Sequence, residues 1–513
     1  MKSKTAPVLG GALAVALSLA LTACSSAGSN SSDSSAKSGS AATGSYDKNA
    51  TIAIGSPYEP QNLDNTGGGG QGVTEALNGN VYEGLFKLTD DGKIENQLAT
   101  GYTVSPDGLT YTFKLRDGVK FHSGKTLTSA DVKYSIQKVT GPASQAARKS
   151  SFDMIKSIDT PSADTVKVTL SSKSISFVYN LSYVWIFDAQ AKNLKTSEDG
   201  TGPYKLDKWT HGSALSLVKF PGYWGTPATN AGVVFKYYKD ATALNNALLT
   251  NAVDVVTSEQ SPDALDQFKN NADYKVNDGH SITKLLLAFN DRVKPFNNTL
   301  VRKAVTSAID NKKLLQSIWG NYGTLIGSMT PPTDPWYEDL TNVNPYDVGL
   351  AKKELAEAGY ANGFSFTLDT PNYDPHPTAA TFIKSELAKV GIKVKINIIT
   401  PDQWYTKVYQ NHDFTATLQE HVNDRDIVWY GNPDFYWGYD NKQVTTWVNE
   451  AEQSDTTAEQ TALLKKVNTQ IADDAASDWL YLYPQIVVAN SKLSGYPLNG
   501  LNSQFYAYGI KKS

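Results

Sequence analysis

The chain has a single cysteine, Cys24, among 513 residues, and only five arginines and six histidines. One cysteine excludes an internal disulfide and cannot build a thiolate metal site by itself. The charge surplus is small: 47 basic against 51 acidic side chains, a net of −4. Such a chain lacks the basic field that grips phosphate backbones, so nucleic acid is not an expected partner. His122, His211, His280, His376, His412 and His421 form no His-Glu-x-x-His and no close pair suited to zinc, and the chain has no Gly-x-Ser-x-Gly elbow. Gly124-Lys125-Thr126 invites a phosphate-loop reading, but the upstream glycine position is Val119. The run from Gly67 to Gly70 lacks the spacing of a dinucleotide fingerprint and reads as a flexible loop. Acids are plentiful, but nothing in their spacing argues for a catalytic pair. No catalytic residue, metal or cofactor is expected.

What is abundant is aromatic: 10 Trp, 28 Tyr and 17 Phe. That content is too high for a disordered chain, and the length predicts two to four domains. The first residues read differently. Lys2 and Lys4 precede an apolar stretch over residues 8–23, too short and too rich in Ala and Gly for a comfortable membrane span. It reads as a signal peptide, residues 1–23, ending in Leu21-Thr22-Ala23-Cys24, which resembles a bacterial lipobox with Cys24 as the lipidated mature N-terminus. A simple secreted protein is the plainer alternative. Residues 24–45, mostly Ser, Ala and Gly, cannot bury enough surface to offset their ordering entropy and read as a flexible tether.

From Tyr46 on, the pattern is that of an α/β protein. Thr51-Ile52-Ala53-Ile54 reads as a strand, as do the alternating stretches 109–115 and 162–170. Thr128 with Asp131 three residues on predicts a capped helix. Residues 364–368, a helix capped by Thr378 and ended by Gly391, and the alternation Ile392, Val394, Ile396, Ile398 predict strand, helix, strand: a parallel crossover. One helix is expected over about 300–319 and another over 348–358.

Several blocks resemble the extracytoplasmic solute-binding proteins of peptide and nickel ABC importers, solute-binding family 5. They are residues 98–139 (LATGYTVSPDGLTYTFKLRDGVKFHSGKTLTSADVKYSIQKV), 200–225 (GTGPYKLDKWTHGSALSLVKFPGYWG) and 288–314 (AFNDRVKPFNNTLVRKAVTSAIDNKKL). The Pro331-Pro332 loop, residues 346–360 and the ending VVANSKLSGYPLNG also fit. The resemblance spans nearly all of the chain after the tether. It implies a two-lobed periplasmic-binding-protein-like α/β fold (type II, large cluster with an extra subdomain) with a ligand cleft between the lobes. Matched block by block, lobe 1 holds residues 46–283, with a subdomain at about 84–199, and is completed by 490–513; lobe 2 holds 284–489. The apolar runs 285–289 and 486–489 are the hinge candidates, although a buried core strand would look the same.

The resemblance also implies a ligand site. Residues 419–439 (QEHVNDRDIVWYGNPDFYWGY) are similar to the family segment that lines the cleft, in which an aspartate meets a peptide's α-ammonium. Asp424 is the nearest match and Asp426 the competitor; His421 and Val422 depart from the usual aromatic and glycine, and Asn423 adjoins them. Arg425 stands between two aspartates and could neutralise them locally, leaving no free carboxylate for a ligand. Tyr58, Trp404, Trp429 and the loop residue Tyr322 complete the ligand-binding candidates.

The function so implied is that of a non-enzymatic substrate-binding lipoprotein. It would capture oligopeptides or dipeptides and deliver them to an ABC permease by lobe closure. The expected form is a monomer held by its N-terminal lipid on the outer face of the cell membrane, or in the periplasm of a two-membrane host. An oligosaccharide or a nickel metallophore is the alternative ligand, and a secreted hydrolase the alternative from another class.

Overall fold

A computed structural model describes residues 45–513 except 69, with nothing said of the Asn502 side chain; the signal peptide, Cys24 and nearly all of the tether lie outside the described residues. The strand expected at residue 51 forms as Thr51–Ser56, with Ile52 and Ile54 wholly buried. It lies fourth in a seven-stranded sheet whose spatial order is Tyr274–Gly279, Gln485–Asn490, Val255–Val256, Thr51–Ser56, Gly232–Tyr237, Ala214–Lys219 and Tyr204–Thr210. Its two parallel pairings flank Thr51–Ser56 and the rest are antiparallel.

The second large sheet has five strands, in the order Lys393–Ile399, Ser365–Pro371, Ala416–His421, Lys284–Phe289 and Ser477–Leu482. The crossover expected at its edge is present: Ser365–Pro371 pairs in parallel with Lys393–Ile399 through the helix His376–Ala388. That helix begins before Thr378. Pro375 and Pro377 occupy its start, where a missing N–H costs nothing, so no threonine cap is needed.

The helix expected over 300–319 is two, Thr299–Ala308 and Asn311–Trp319. Ile309 is extended, and the Asp310 carboxylate accepts from the Lys313 N–H at 3.0 Å, so the break is a helix cap inside an otherwise continuous apolar pattern. Residues 162–170 likewise hold a turn: Ile155–Ser162 and Thr165–Leu170 are antiparallel neighbours in a four-stranded sheet completed by Thr110–Leu115 and Ala99–Val104. The capped helix is as expected, Ser129–Thr140, with the Thr128–Asp131 capping box. The glycine run is not simply a loop, because Gly70 opens the helix Gly70–Leu77.

Both runs read as hinges are sheet strands. All six residues of Lys284–Phe289 are buried, and Gln485–Asn490 pairs on both sides. The chain passes from the seven-stranded to the five-stranded sheet at 280–283 and returns at 483–484. Each sheet packs against an apolar core of its own.

Candidate functional site

Lys284 opens the central strand Lys284–Phe289 and pairs in register with His421, the last residue of Ala416–His421. Its ammonium is fully buried, which is tolerable only with partners. It donates to the Asn423 carbonyl at 2.6 Å and reaches Asp426 Oδ2 at 3.4 Å. A cation at the strand end thus folds the following loop back on itself. His421 helps: its Nδ1 lies 3.4 Å from Asp426 Oδ2 and its Nε2 3.0 Å from the Tyr436 hydroxyl. Burial works against the Asp426 carboxylate, but Lys284 and His421 outweigh it and hold its pKa below the ordinary range.

With Asp426 engaged, its neighbours point elsewhere. Asp424, 6 % exposed, receives the Arg148 guanidinium and accepts from the Tyr183 hydroxyl at 2.9 Å. Both partners come from the body that carries the four-stranded sheet, so this ion pair ties two parts of the chain together across 276 residues of sequence. Arg425 does not neutralise the two aspartates that flank it. It sits in the left-handed region at φ 56° and lays its guanidinium over the Tyr179 ring, 3.2 Å from the centroid, and 5.2 Å from that of Trp336. Withdrawal from water pushes its pKa down to about 10, against the pull of Asp334. Burial raises Asp334 in turn to about 6, with Lys284 and Arg425 opposing.

Two cavities meet at the Arg148–Asp424 pair. The larger, about 400 Å³, is walled by Arg148, Ser176 and Asn180 on one side and by Trp336, residues 423–426, Trp429 and Glu452 on the other. The smaller, about 280 Å³, takes Gln71, Gln145, Tyr183 and Ser503 from one side and Val422 and Asn423 from the other. Ala147, Arg148 and Asn423 line both. Volumes of this size suit small organic ligands, and the mix of indole rings, amides and paired charges suits a polar one.

Asp424, Arg425, Asp426, Asn423 and Trp429 therefore gather at one cavity, with His421 behind them. Trp429 stacks on Phe435 with centroids 5.0 Å apart and remains half-buried at the wall. The other candidates lie elsewhere. Trp404 is 8 % exposed inside the core of the five-stranded body and donates its indole N–H to Thr417 Oγ1 at 2.9 Å. Tyr322 packs between two apolar cores, with Lys269 Nζ 4.9 Å from its ring centroid. Tyr58 accepts from Gln260 at 3.2 Å; burial first, then the Glu75 and Glu420 carboxylates, raise its phenol pKa.

Sequence reading passed over Tyr179, Tyr183, Trp336 and Glu452. Arg148 was visible only as one of five arginines; Tyr179 and Tyr183, four apart, were the other available signal. Among the described residues no group of three His, Cys, Asp or Glu is placed to hold a metal ion, and no helix is long and apolar enough to cross a membrane.

Residues 93–424 match the family model described as bacterial extracellular solute-binding proteins, family 5 Middle. The glutathione-binding protein GsiB of Escherichia coli (strain K12) is 29 % identical over 486 residues, covering 88 % of this chain and 92 % of that one. Among solved structures, AgaA from A. tumefaciens R10 in complex with agropinic acid is similar with TM-score 0.76 and 27 % identity, over 90 % of this chain and 99 % of that one. DppA from Helicobacter pylori, an ABC transporter-associated periplasmic binding protein in complex with the peptide STSA, superposes with TM-score 0.75 at 24 % identity, over 90 % and 98 % of the two chains.

Proposed function

Because the chain belongs to the bacterial extracellular solute-binding proteins, family 5, we propose that it is the peptide receptor of an ABC importer, tethered through a lipid on Cys24. It is a binding protein and not an enzyme, and its relatives take peptides or related small ligands. The observation that carries the peptide reading is the cavity at the Arg148–Asp424 pair, whose walls come from both sides of the molecule. A peptide ammonium would replace the Arg148 guanidinium on Asp424, exchanging one charge-assisted contact for another.

On this reading lobe 1 holds residues 46–283 and the return from 485, and lobe 2 holds 284–482. The membership of Gln485–Asn490 in the seven-stranded sheet supports a return a few residues earlier than the block matching implies. Ligand would bridge the lobes, favour the closed form and present it to the permease; a ligand with equal affinity for open and closed forms would shift nothing. The likeness to AgaA, whose structure is in complex with agropinic acid, favours a second reading: a small acidic non-peptide ligand in the same cavity.

Calorimetry tests the choice. Short peptides should bind one to one, and Asp424→Asn or N-acetylation of the peptide should each weaken binding at least tenfold. Binding indifferent to both changes would remove the proposed role of Asp424. For the tether, Cys24→Ala should release the protein from membranes into the medium or periplasm.

A further inference from the structure

The helix Gly70–Leu77 buries Glu75 beside Val73, Ala76 and Leu77, on the face where its packing would favour an apolar side chain. The carboxylate is 5 % exposed and accepts from the Ser56 hydroxyl at the end of the strand Thr51–Ser56. A second acid faces it from the five-stranded sheet. Ala416 and Leu418 belong to that sheet's apolar core, and Glu420 is the next residue on the same face. It accepts from the Tyr373 hydroxyl at 3.2 Å. Among the described residues neither acid has a lysine, arginine or histidine partner. Lys284 and His421, paired one residue along, lie on the opposite face of the sheet from Glu420.

Phenols surround the two carboxylates. Tyr58 comes from the seven-stranded side, and the charges of Glu75 and Glu420 both bear on it. Tyr373, Tyr481 and Tyr483 feel Glu420 from the five-stranded side, and Tyr237 feels Glu75 and Glu59. The hydroxyls of Tyr237, Tyr481 and Tyr483, and Gln419 Oε1, are buried without a partner. A phenol can donate to a carboxylate but cannot neutralise it, so contact across this seam withdraws uncompensated negative charge from water. Burial raises Glu75 to about 7 against the Ser56 bond, and raises Glu420 against the Tyr373 bond.

Building on the two-lobed capture proposed above, we propose that closure takes up protons at Glu75 and Glu420, so that the protein holds its ligand more tightly in acidic surroundings. Opening the seam returns water to the carboxylates and lets them ionise; closing it favours their protonated forms. Once protonated, each carboxyl gains an O–H donor, and Gln419 Oε1 and the Tyr483 hydroxyl are acceptors without a partner on the Glu420 side. Between the ordinary carboxyl range and the raised values the closed form carries more protons than the open one. Affinity therefore rises as pH falls through about 7 and levels off below the ordinary range. One carboxyl moved from 4.5 to about 7 gives about twentyfold between pH 7.5 and pH 5.5.

Calorimetry on the full-length protein tests the link, with the tightest-binding tripeptide of a pool lacking Asp, Glu and His. Both pH values lie below the pKa of a peptide amine, so the probe keeps its charge. Affinity should be about tenfold or more higher at pH 5.5 than at pH 7.5. Titrations at pH 6.5 in phosphate and in imidazole should report uptake of about one half to two protons per peptide. Glu75→Gln/Glu420→Gln, neutral at every pH, should bind at pH 7.5 about as tightly as wild type does at pH 5.5 and take up almost no proton. Loss of fold cannot produce that gain. Wild-type affinity within twofold at the two pH values, with no uptake, overturns the proton link and leaves peptide capture standing. A pH dependence that survives unchanged in the double variant also overturns it and moves the titration to His421 or Asp334. No binding at either pH overturns peptide capture and the link together. If the double variant does not fold, Glu420→Gln alone should remove part of the uptake, and unchanged uptake overturns the link.

Discussion

Glu452 ends the helix Lys442–Glu452 and stands where the two halves of the larger cavity meet. Its carboxylate accepts from the hydroxyls of Ser174 and Ser176, the latter at 2.7 Å, and its carbonyl accepts from the Ile175 N–H at 2.9 Å. Gln460 adds a bond to Ser176 at 3.1 Å, and Lys173 one to Asp455 at 2.6 Å. The strap 173–176 is thus clasped to the turn before the helix Thr457–Asp473. A hydrogen bond to a charged acceptor contributes about 1.5–3 kcal/mol. Two such bonds on one carboxylate do not add fully, so Glu452→Ala should cost the clasped form about 2–3 kcal/mol, or about 30- to 150-fold. The Lys173–Asp455 pair is 36 % and 75 % exposed, so Asp455→Asn should cost about 0.5 kcal/mol or less.

Stopped-flow tryptophan fluorescence during ligand displacement reads the difference. We expect Glu452→Ala to speed ligand dissociation about 30-fold or more with little change in association, and Asp455→Asn to change it less than about threefold. Glu452 also touches the cavity, so Ser174→Ala/Ser176→Ala, which removes the same bonds from the far side, should reproduce most of the effect. Combined with Glu452→Ala it should add almost nothing. Dissociation within twofold of wild type in Glu452→Ala would refute the clasp. A full effect in Glu452→Ala with none in the serine pair would show that the carboxylate acts on ligand directly.

Trp404→Ala should lower stability by about 3–5 kcal/mol, seen as a drop in Tm, and leave the affinity of the folded fraction within about twofold; Trp429→Ala should do the reverse, with affinity falling about tenfold. Asp424→Ala leaves Arg148 without its carboxylate and should lower stability by about 3 kcal/mol; Arg148→Gln/Asp424→Asn, which removes both charges, should recover much of that in thermal melts. Burial raises Glu75 and Asp478 to about 7 and Asp291 to about 8. Between the unfolded carboxyl pKa and these values the native state keeps protons the unfolded chain has lost, so stability falls as pH rises through that window. Tm should therefore be higher near pH 6 than at pH 8, and Asp291→Asn should flatten the difference. His376, pushed down to about 4 by burial, works oppositely and erodes the gain below its ordinary pKa.

Local patterning carried the fold a long way. Strand, helix and strand over 365–399 follow from alternation on either side of a helical period, and the Thr128–Asp131 cap is written in four residues. The split at Ile309-Asp310 was legible too, had the aspartate been weighed as a cap against the apolar pattern running through it. The hinge candidates are a different case. Residues 285–289 look alike in a core or at a crossing, and only pairing in the sheet distinguishes the two. The site was half legible: the loop 421–429 stood out for its charges and rings, while the partner of Asp424 lies 276 residues away and no local period reports it. Trp404 and Trp429 read alike in sequence; burial separates them.

Capture between two bodies predicts a two-sided footprint. Hydrogen–deuterium exchange with and without the tightest-binding tripeptide should show residues 145–152 and 176–184 losing exchange together with 422–432, in one step and at one stoichiometry. Protection on one side alone, or unchanged exchange on both sides at saturating ligand, would contradict it.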